Sequence, residues 1–236
     1  MERLTNERKM SETGLARESN AIPKLLAGIG EKDACKILDA ATPAKLLANQ
    51  MIVSGGEPAT RLFLLRTGTV KYYRLTPSGD EVLLGWLVPG DVFGLGTLFS
   101  NPVAYFGSAK AVAECDLWVW QHDRVRKLAE SYPLLAENAL RIVLEYLGAL
   151  VTRHVGLVSR SAEQRLADTL LNLGRRTGKV HSGGVDVNIT NEQLGDLAHT
   201  TPFTASRLLR RWKRTGAVSK KRGKVVIHMP ELLLMD

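Results

Sequence analysis

The spacing of apolar residues changes twice along this 236-residue chain. Residues 22–40 carry apolar side chains three and four positions apart, which predicts a short helix. Between Gly55 and Gly90, turn glycines recur about every 11 residues and separate apolar segments such as "RLFLLRTGTVKYYRL". Short strands at even spacing indicate an antiparallel β-barrel or sandwich, with residues 78–80 as a hairpin tip and 115–121 as the last strand.

Residues 133–160 have helical periodicity again and contain two apolar stripes. The first has the alternating spacing of a coiled-coil seam and consists of Leu140, Val143, Leu147, Leu150, His154 and Leu157. The second lies on the neighbouring face and consists of Leu135, Ala139, Ile142, Tyr146 and Ala149. One stripe can cover the barrel while the other meets an identical helix, or both can be buried within one chain. We interpret His154 as a polar residue that fixes the register of the seam, ahead of a switch or a haem ligand.

The remaining chain predicts a small α/β domain. A helix from Ala162 ends at Gly178, and residues 185–190 alternate like a strand. Thr190 and Gln193 form a capping-box pattern at the start of a helix over 191–198. A second helix over 202–214 has Thr201 as its cap and Pro202 in its first turn. Residues 217–228 predict two strands with a basic tip at Gly223, which is a wing.

The helix over 202–214 has two unlike faces. One is apolar and contains Ala205, Leu208, Leu209 and Trp212; the other contains Phe203, Ser206, Arg207, Arg210 and Arg214. A short helix held by its neighbour, with a basic outer face, matches a helix-turn-helix unit whose second helix enters the DNA major groove. Arg207 lies near enough to the N-terminal end to pair with guanine, whereas cations further along meet phosphates.

Charge supports a polyanionic partner. The chain has a formal net charge of +8, and the part from Arg160 onward holds 14 Lys and Arg against 7 Asp and Glu. From Leu197 to Pro230 there is no acidic residue. A basic region confined to one domain favours nucleic acid over a membrane surface.

The sequence lacks the residue patterns that a metal site or an enzyme would need. Cys35 and Cys115 are 80 positions apart, and residues 41–121 contain no histidine, so neither a metal site nor a metal-dependent β-barrel enzyme is indicated. No serine-histidine-acid grouping and no phosphate-binding loop is present, so we expect no catalytic residues. We also expect no membrane span, a disordered tail over residues 1–20 and a cytoplasmic protein.

These motifs resemble the bacterial Crp/Fnr transcription regulators over roughly residues 22–230. The resemblance rests on "GDVFGLGTLF" at 90–99, on the long helix, and on "ITNEQLGDLAHTTPFTASRLL" at 189–209 with its Ser206–Arg207 pair. It implies an α+β protein: a cyclic-nucleotide-binding-like β-roll (a double-stranded β-helix) with flanking helices over 21–132, a dimerisation helix over 133–160, and a winged helix-turn-helix over 161–236. It also implies a homodimer on a near-palindromic promoter site, with RNA polymerase as a further candidate partner.

Two departures from the family bear on mechanism. Phe203 stands where many members have Glu, so the family's usual target sequence is not carried over. Cyclic-nucleotide-binding relatives use a Gly-Glu pair and a nearby Arg-Ser that neutralises the phosphate. In this chain Gly94 is followed by Leu95, and Lys110 is the only Lys or Arg between Arg74 and Arg124. A buried phosphate needs a positive partner, so cyclic AMP is not expected as the effector. Nor does the chain have the cysteines of the iron–sulfur relatives, which leaves a haem, a small neutral ligand or no ligand.

The candidate residues fall into four groups. Base-reading candidates are Thr201, Phe203, Ser206 and Arg207. Phosphate candidates are Thr200, Arg210, Arg211, Lys213, Arg214, Lys220, Lys221, Arg222 and Lys224. Candidates for an apolar effector pocket are Gly94, Leu95, Phe99, Tyr105 and Phe106, which can equally be filled core. The dimer seam is the first stripe of the long helix. A competing hypothesis is a small-molecule or haem sensor that acts mainly through a protein partner.

Overall fold

The computed structural model describes residues 22–234, so the expected tail over 1–20 lies outside the described part of the chain. The described residues divide into two compact units. The first comprises residues 22–81 and 86–146, and the second comprises residues 82–85 and the chain from Leu147 onward. Both units contain helices and antiparallel strands, and in the first unit the helices precede and follow the run of strands, which confirms the mixed α+β class.

The eight strands of the roll form two antiparallel four-stranded sheets, in the orders β1-β8-β3-β6 and β2-β7-β4-β5. Their bounds are β1 Thr42–Leu46, β2 Met51–Val53, β3 Arg61–Thr67, β4 Val70–Leu75, β5 Glu81–Leu87, β6 Val92–Phe93, β7 Ser108–Ala111 and β8 Cys115–Gln121. The predicted last strand is therefore confirmed. Gly79 has φ of 91° and lies between β4 and β5, which confirms the predicted hairpin tip.

Strand β3 shows why the roll has two apolar layers. Successive side chains of a strand point to opposite faces. Phe63 and Leu65 therefore enter the cluster between the two sheets, while Leu62 and Leu64 pack on the other side against helices. All four are buried, which explains why this segment is a continuous apolar run instead of an alternating one.

The helices of the first unit cover the outer face of the β1-β8-β3-β6 sheet. They are α1 Glu31–Asp39, α2 His122–Ser131 and the first part of α3 Pro133–Ser159. The predicted single helix over 22–40 is wrong: a 3₁₀ turn at Lys24–Leu26 precedes α1, and Gly28 with φ of 73° separates them. The buried Asn138 side chain of α3 donates to the carbonyls of Leu25 (3.0 Å) and Ala27 (2.8 Å), which holds this turn on the helix.

The second unit contains α4 Ala162–Thr177, α5 Asn191–Leu197 and α6 Pro202–Arg214. Its sheet has the order β11-β12-β10-β9, built from β9 Lys179–His181, β10 Gly184–Asn188, β11 Val218–Lys221 and β12 Lys224–Ile227. A 3₁₀ turn at Pro230–Leu233 follows. Leu166, Leu170, Leu194, Leu209 and Trp212 are buried, so the helices share an apolar interior. The helices and strands expected over 162–228 are all present.

Candidate nucleic-acid interface

The pair α5 and α6 begins at two side-chain caps. Thr190 accepts a hydrogen bond from Gln193 N, and the Gln193 side chain accepts from Thr190 N, which completes the predicted capping box. Thr201 Oγ1 accepts from Thr204 N at 3.1 Å, and Pro202 occupies the first turn of α6. These local bonds fix where α6 starts and therefore which of its side chains face outward.

The two faces of α6 separate as the sequence predicted. Ala205, Leu208, Leu209 and Trp212 are all at most 5% exposed. Phe203 on the opposite side is 73% exposed, Arg207 and Arg210 are also exposed, and Ser206 is half-buried. A helix anchored by one face and free along the other has the geometry of a recognition helix in a DNA groove.

The predicted wing is a hairpin of β11 and β12. Lys221 pairs with Lys224 at its end, and Gly223 between them has φ of 70°, a left-handed conformation that favours glycine. Lys221 and Arg222 are exposed at this tip. Val218, Val225 and Ile227 are buried, so the hairpin is attached to the unit through its apolar side.

Three of the predicted phosphate-binding cations have side-chain partners within the described part of the chain, and Arg210 Nε donates to its own helix at Ser206 O (3.4 Å). Arg211 donates to Glu163 of α4 at 2.8 Å, and Lys224 donates to Asp186 of β10 at 2.5 Å. Lys220 donates to the Asn191 side chain. Glu163 and Asp186 lie outside the acid-free stretch 197–230, so the absence of acids within that stretch did not predict these ion pairs. These three cations are therefore less available to a phosphate than the exposed Lys213, Arg214, Lys221 and Arg222.

The pKa values of these groups follow from their surroundings. The hydrogen bond from Lys224 lowers the pKa of Asp186 below its ordinary value, so this carboxylate remains charged. Burial lowers the pKa of Lys220. In the turn between α5 and α6, partial burial followed by the charges of Arg153 and Arg165 lowers the pKa of His199 below 6.5.

Of the five effector-pocket candidates, only Gly94 and Tyr105 are brought together, since a Cβ at Gly94 would lie 3.3 Å from the Tyr105 ring. Gly94 has φ of 82° and opens the 3₁₀ turn at Leu95–Leu98, but Leu95 packs on the helix side of the sheet. Tyr105 lies in the cluster between the sheets. Phe99 and Phe106 are 61% and 69% exposed. The prediction that these five residues line one pocket is therefore wrong, because Leu95 packs on the helix side of the sheet while Phe99 and Phe106 are exposed.

The interior of the roll is occupied by its own side chains. Phe63 and Phe93 stack with ring centroids 4.7 Å apart, and Tyr105 is 8% exposed in the same cluster. The Tyr105 hydroxyl donates to Arg61 O (3.2 Å) and accepts from Arg61 N (3.1 Å). The alternative of a filled core therefore describes Tyr105.

Clefts lie elsewhere on the surface. A cleft of about 320 Å³ borders α2 at Asp123 and Lys127, and one of about 470 Å³ lies beside Glu163 and Leu233. Within residues 22–234, no group of three His, Cys, Asp or Glu is placed to hold a metal ion, and Cys35 and Cys115 are free thiols. No helix in the same range is both long and apolar enough to span a bilayer.

Helix α3 exposes the predicted seam. Of the six seam residues, Leu147 is 52% and Leu150 36% exposed, and Leu140, Val143, His154 and Leu157 are exposed as well. In the second stripe Leu135 and Ala139 are buried against the roll, Ile142 is half-buried, and Tyr146 and Ala149 are exposed. Because the seam is exposed, the alternative in which one chain buries both stripes is wrong. The sequence reasoning missed a third exposed stripe, namely Leu144, Val151 and Val158, although their seven-residue spacing is visible in the sequence.

Two family models match adjacent parts of the chain. Residues 43–132 match the cyclic nucleotide-binding domain, and residues 164–235 match the Crp-like helix-turn-helix domain. The chain belongs to the Crp/Fnr family of transcription regulators. The Crp/Fnr proteins are DNA-binding regulators and not enzymes, which agrees with the function class expected from the sequence.

Similar proteins support this assignment, and a solved structure shows the same fold. Electron transport regulator A of Shewanella oneidensis is 28% identical over 181 residues, which cover 75% of this chain and 71% of that protein. The CRP-like cAMP-activated global transcriptional regulator of Mycobacterium tuberculosis is 26% identical over 193 residues, covering 81% and 86%. The c-di-GMP responsive global regulator CLP of Xanthomonas campestris has the same fold, with a TM-score of 0.72 at 17% identity over 84% of this chain and 99% of that chain.

Proposed function

We propose that this Crp/Fnr protein binds a near-palindromic DNA site as a homodimer in the cytoplasm, and that α6 of each copy enters the major groove. The observation that carries the proposal is the two-faced α6, with a buried apolar side and an outer side carrying Phe203, Arg207 and Arg210. A helix of this kind beside a basic wing supplies both base contacts and phosphate contacts.

The roles of individual side chains follow from their exposure and partners. Thr201, Phe203, Ser206 and Arg207 lie at the N-terminal half of α6 and are the base-reading group. Arg207 has the fork that pairs with guanine O6 and N7, and Phe203 offers an apolar contact to a thymine methyl group. The phosphate group consists of Thr200, Arg210, Lys213, Arg214, Lys221 and Arg222. Arg211, Lys220 and Lys224 primarily hold the domain together through their internal partners.

The exposed face of α3 is the proposed dimer interface. Leu147, Leu150 and the parallel stripe through Leu144 and Val151 form an apolar surface on one helix. A contiguous exposed apolar face on a helix is typical of an association site. Two copies of α3, each with apolar residues at seven-residue repeats, bury each other's exposed faces as a coiled coil. The dimer then presents two copies of α6 to one DNA site.

We further propose that the roll modulates DNA affinity in response to an effector other than cyclic AMP, and that RNA polymerase is a partner on the promoter. Several cations of the roll are already engaged: Arg61 lies over Phe63, Arg66 lies over Trp118, and Arg74 donates to Phe106 O. An anionic phosphate would have to compete with these contacts. Calorimetric titration with cyclic AMP is expected to give no heat of binding; saturable binding would refute this part.

Footprinting on genomic fragments tests the DNA part of the proposal. The expected result is a protected inverted repeat whose half-sites are about one helical turn apart, roughly 34 Å. A duplex with one half-site scrambled is the matched control, and we expect it to bind much more weakly because one copy loses its base contacts. Equal protection of any sequence, or binding to a protein partner with no measurable DNA affinity, would contradict the proposal.

A further inference from the structure

Arg165 lies in the opening turns of α4, where its position is tightly set. Ser161 caps this helix, since its hydroxyl accepts from Gln164 N while the Gln164 side chain accepts from Ser161 N. Arg165 N donates to Ser161 O at 3.0 Å. The start of α4 therefore holds the half-buried Arg165 side chain in one place relative to the rest of the second unit.

The guanidinium of Arg165 bonds three backbone carbonyls. Its Nε donates to Ala198 O at 3.0 Å and one terminal nitrogen donates to His199 O at 3.1 Å. The other terminal nitrogen donates to Arg160 O at 2.8 Å. Only an arginine fork offers donors in three directions from one rigid plane. One side chain thus joins the segment that precedes α4 to the turn between α5 and α6.

That turn contains a strained residue. His199 has φ of 50°, a left-handed conformation that disfavours residues with a Cβ atom. Ala198 is the C-cap of α5, where helix carbonyls lack intrahelical partners. By donating charged hydrogen bonds to the carbonyls of Ala198 and His199, Arg165 stabilises the turn conformation and compensates for the strain.

The turn at Ala198–His199 determines where α6 begins. Thr200 N donates to Gly195 O at 2.9 Å, and a Cβ at Gly195 would lie 3.0 Å from Thr200 O. The chain therefore passes closely over α5 before Thr201 caps α6. A small change in the turn displaces the N-terminal half of α6, which carries Phe203 and Arg207.

We propose that Arg165 is a positioning residue for sequence reading: it sets the turn at Ala198–His199 and thereby the alignment of α6 with the base edges. The inference rests on the proposed DNA-binding function. It assigns Arg165 a role within the domain and not at a phosphate, because each of its three side-chain nitrogens already donates to a backbone carbonyl. Its loss reduces discrimination between DNA sequences and leaves general affinity for DNA in place.

The experiment compares R165Q and R165K with R175Q, a control that removes one positive charge from an exposed position on the same helix. Affinities for the footprinted site and for an unrelated duplex are measured at several salt concentrations. We expect R165Q to lose about tenfold or more in specific affinity and to bind the unrelated duplex within about twofold of the wild type. The salt dependence stays unchanged because no phosphate contact is lost. R165K keeps the charge but also loses discrimination, since one ammonium cannot span the three carbonyls.

Two further readouts separate positioning from a general loss of structure. Hydrogen exchange of the Thr200 amide, measured without DNA, becomes faster in R165Q and R165K than in R175Q. Adding H199G to R165Q restores part of the discrimination, because glycine adopts the left-handed turn without strain. Wild-type discrimination in both Arg165 variants overturns the inference, as does equal weakening on both duplexes with a shallower salt dependence. A wild type without any sequence preference overturns the proposed function, and the exchange rates then still decide the role of Arg165.

Discussion

Replacing Leu147 with glutamate tests the proposed dimer interface on α3. Complete burial of a leucine side chain contributes about 1.5–3 kcal/mol. Leu147 keeps 52% of its area exposed in the single chain, so about 1 kcal/mol remains to be gained on association. A two-fold interface contains this residue twice, which gives about 2 kcal/mol. The dissociation constant of the dimer should therefore rise at least about 30-fold, and further because the glutamates enter an apolar contact.

Sedimentation equilibrium over a range of protein concentrations measures this change. The matched control is L47E, the same substitution at an exposed leucine in the turn after β1. We expect L47E to remain dimeric at concentrations where L147E is monomeric, and we expect L147E to lose most of its affinity for the complete DNA site. If both variants sediment as dimers with the wild-type constant, the exposed face of α3 is not the interface.

Three further outcomes concern the DNA-binding unit. R207A should lower affinity for the specific site by about 1–3 kcal/mol and relax sequence choice, as measured by mobility shift on a panel of substituted sites; an unchanged preference would remove Arg207 from the reading group. K221A should reduce the slope of log affinity against log salt by about 0.9, whereas K224A should change it less because Asp186 holds that lysine; equal slopes in the two variants would contradict this distinction. His199 has a lowered pKa, so the unfolded chain protonates first as pH falls. The contribution of His199 to the free energy of unfolding is therefore fully present above about pH 6.5 and is lost as the pH falls through its lowered pKa; urea unfolding should show a smaller loss with falling pH in H199N, and an identical loss would exclude His199 as the cause.

The DNA-binding unit was predictable because its signals are local. Thr190 and Thr201 mark helix starts within four residues of their partners, and Gly223 marks the tip of a two-stranded hairpin. Which face of α6 is exposed follows from helical period alone.

Contacts between distant residues were not predictable from pattern. Glu163 and Arg211 are 48 positions apart, and Arg165 reaches carbonyls 33 and 34 positions away. Which acid neutralises which cation depends on how helices pack, and sequence spacing contains no information on that. The aromatic residues of the supposed effector pocket show the same limit, because apolar character did not distinguish buried Tyr105 from exposed Phe106.

The Tyr105 side chain fills the interior of the roll, where the proposed effector would otherwise have space. A ligand that binds at this position must first displace the Tyr105 ring and break its two hydrogen bonds to the Arg61 backbone. The apparent affinity of the ligand is reduced in proportion, because the conformation with Tyr105 displaced is rarely populated. Truncating the side chain in Y105A turns this obstacle into a vacant chamber with an apolar wall and a polar rim at the Arg61 backbone. We expect a small phenol added from outside to bind in the space left by the Tyr105 ring, which offers a route to a regulator controlled by a chosen chemical.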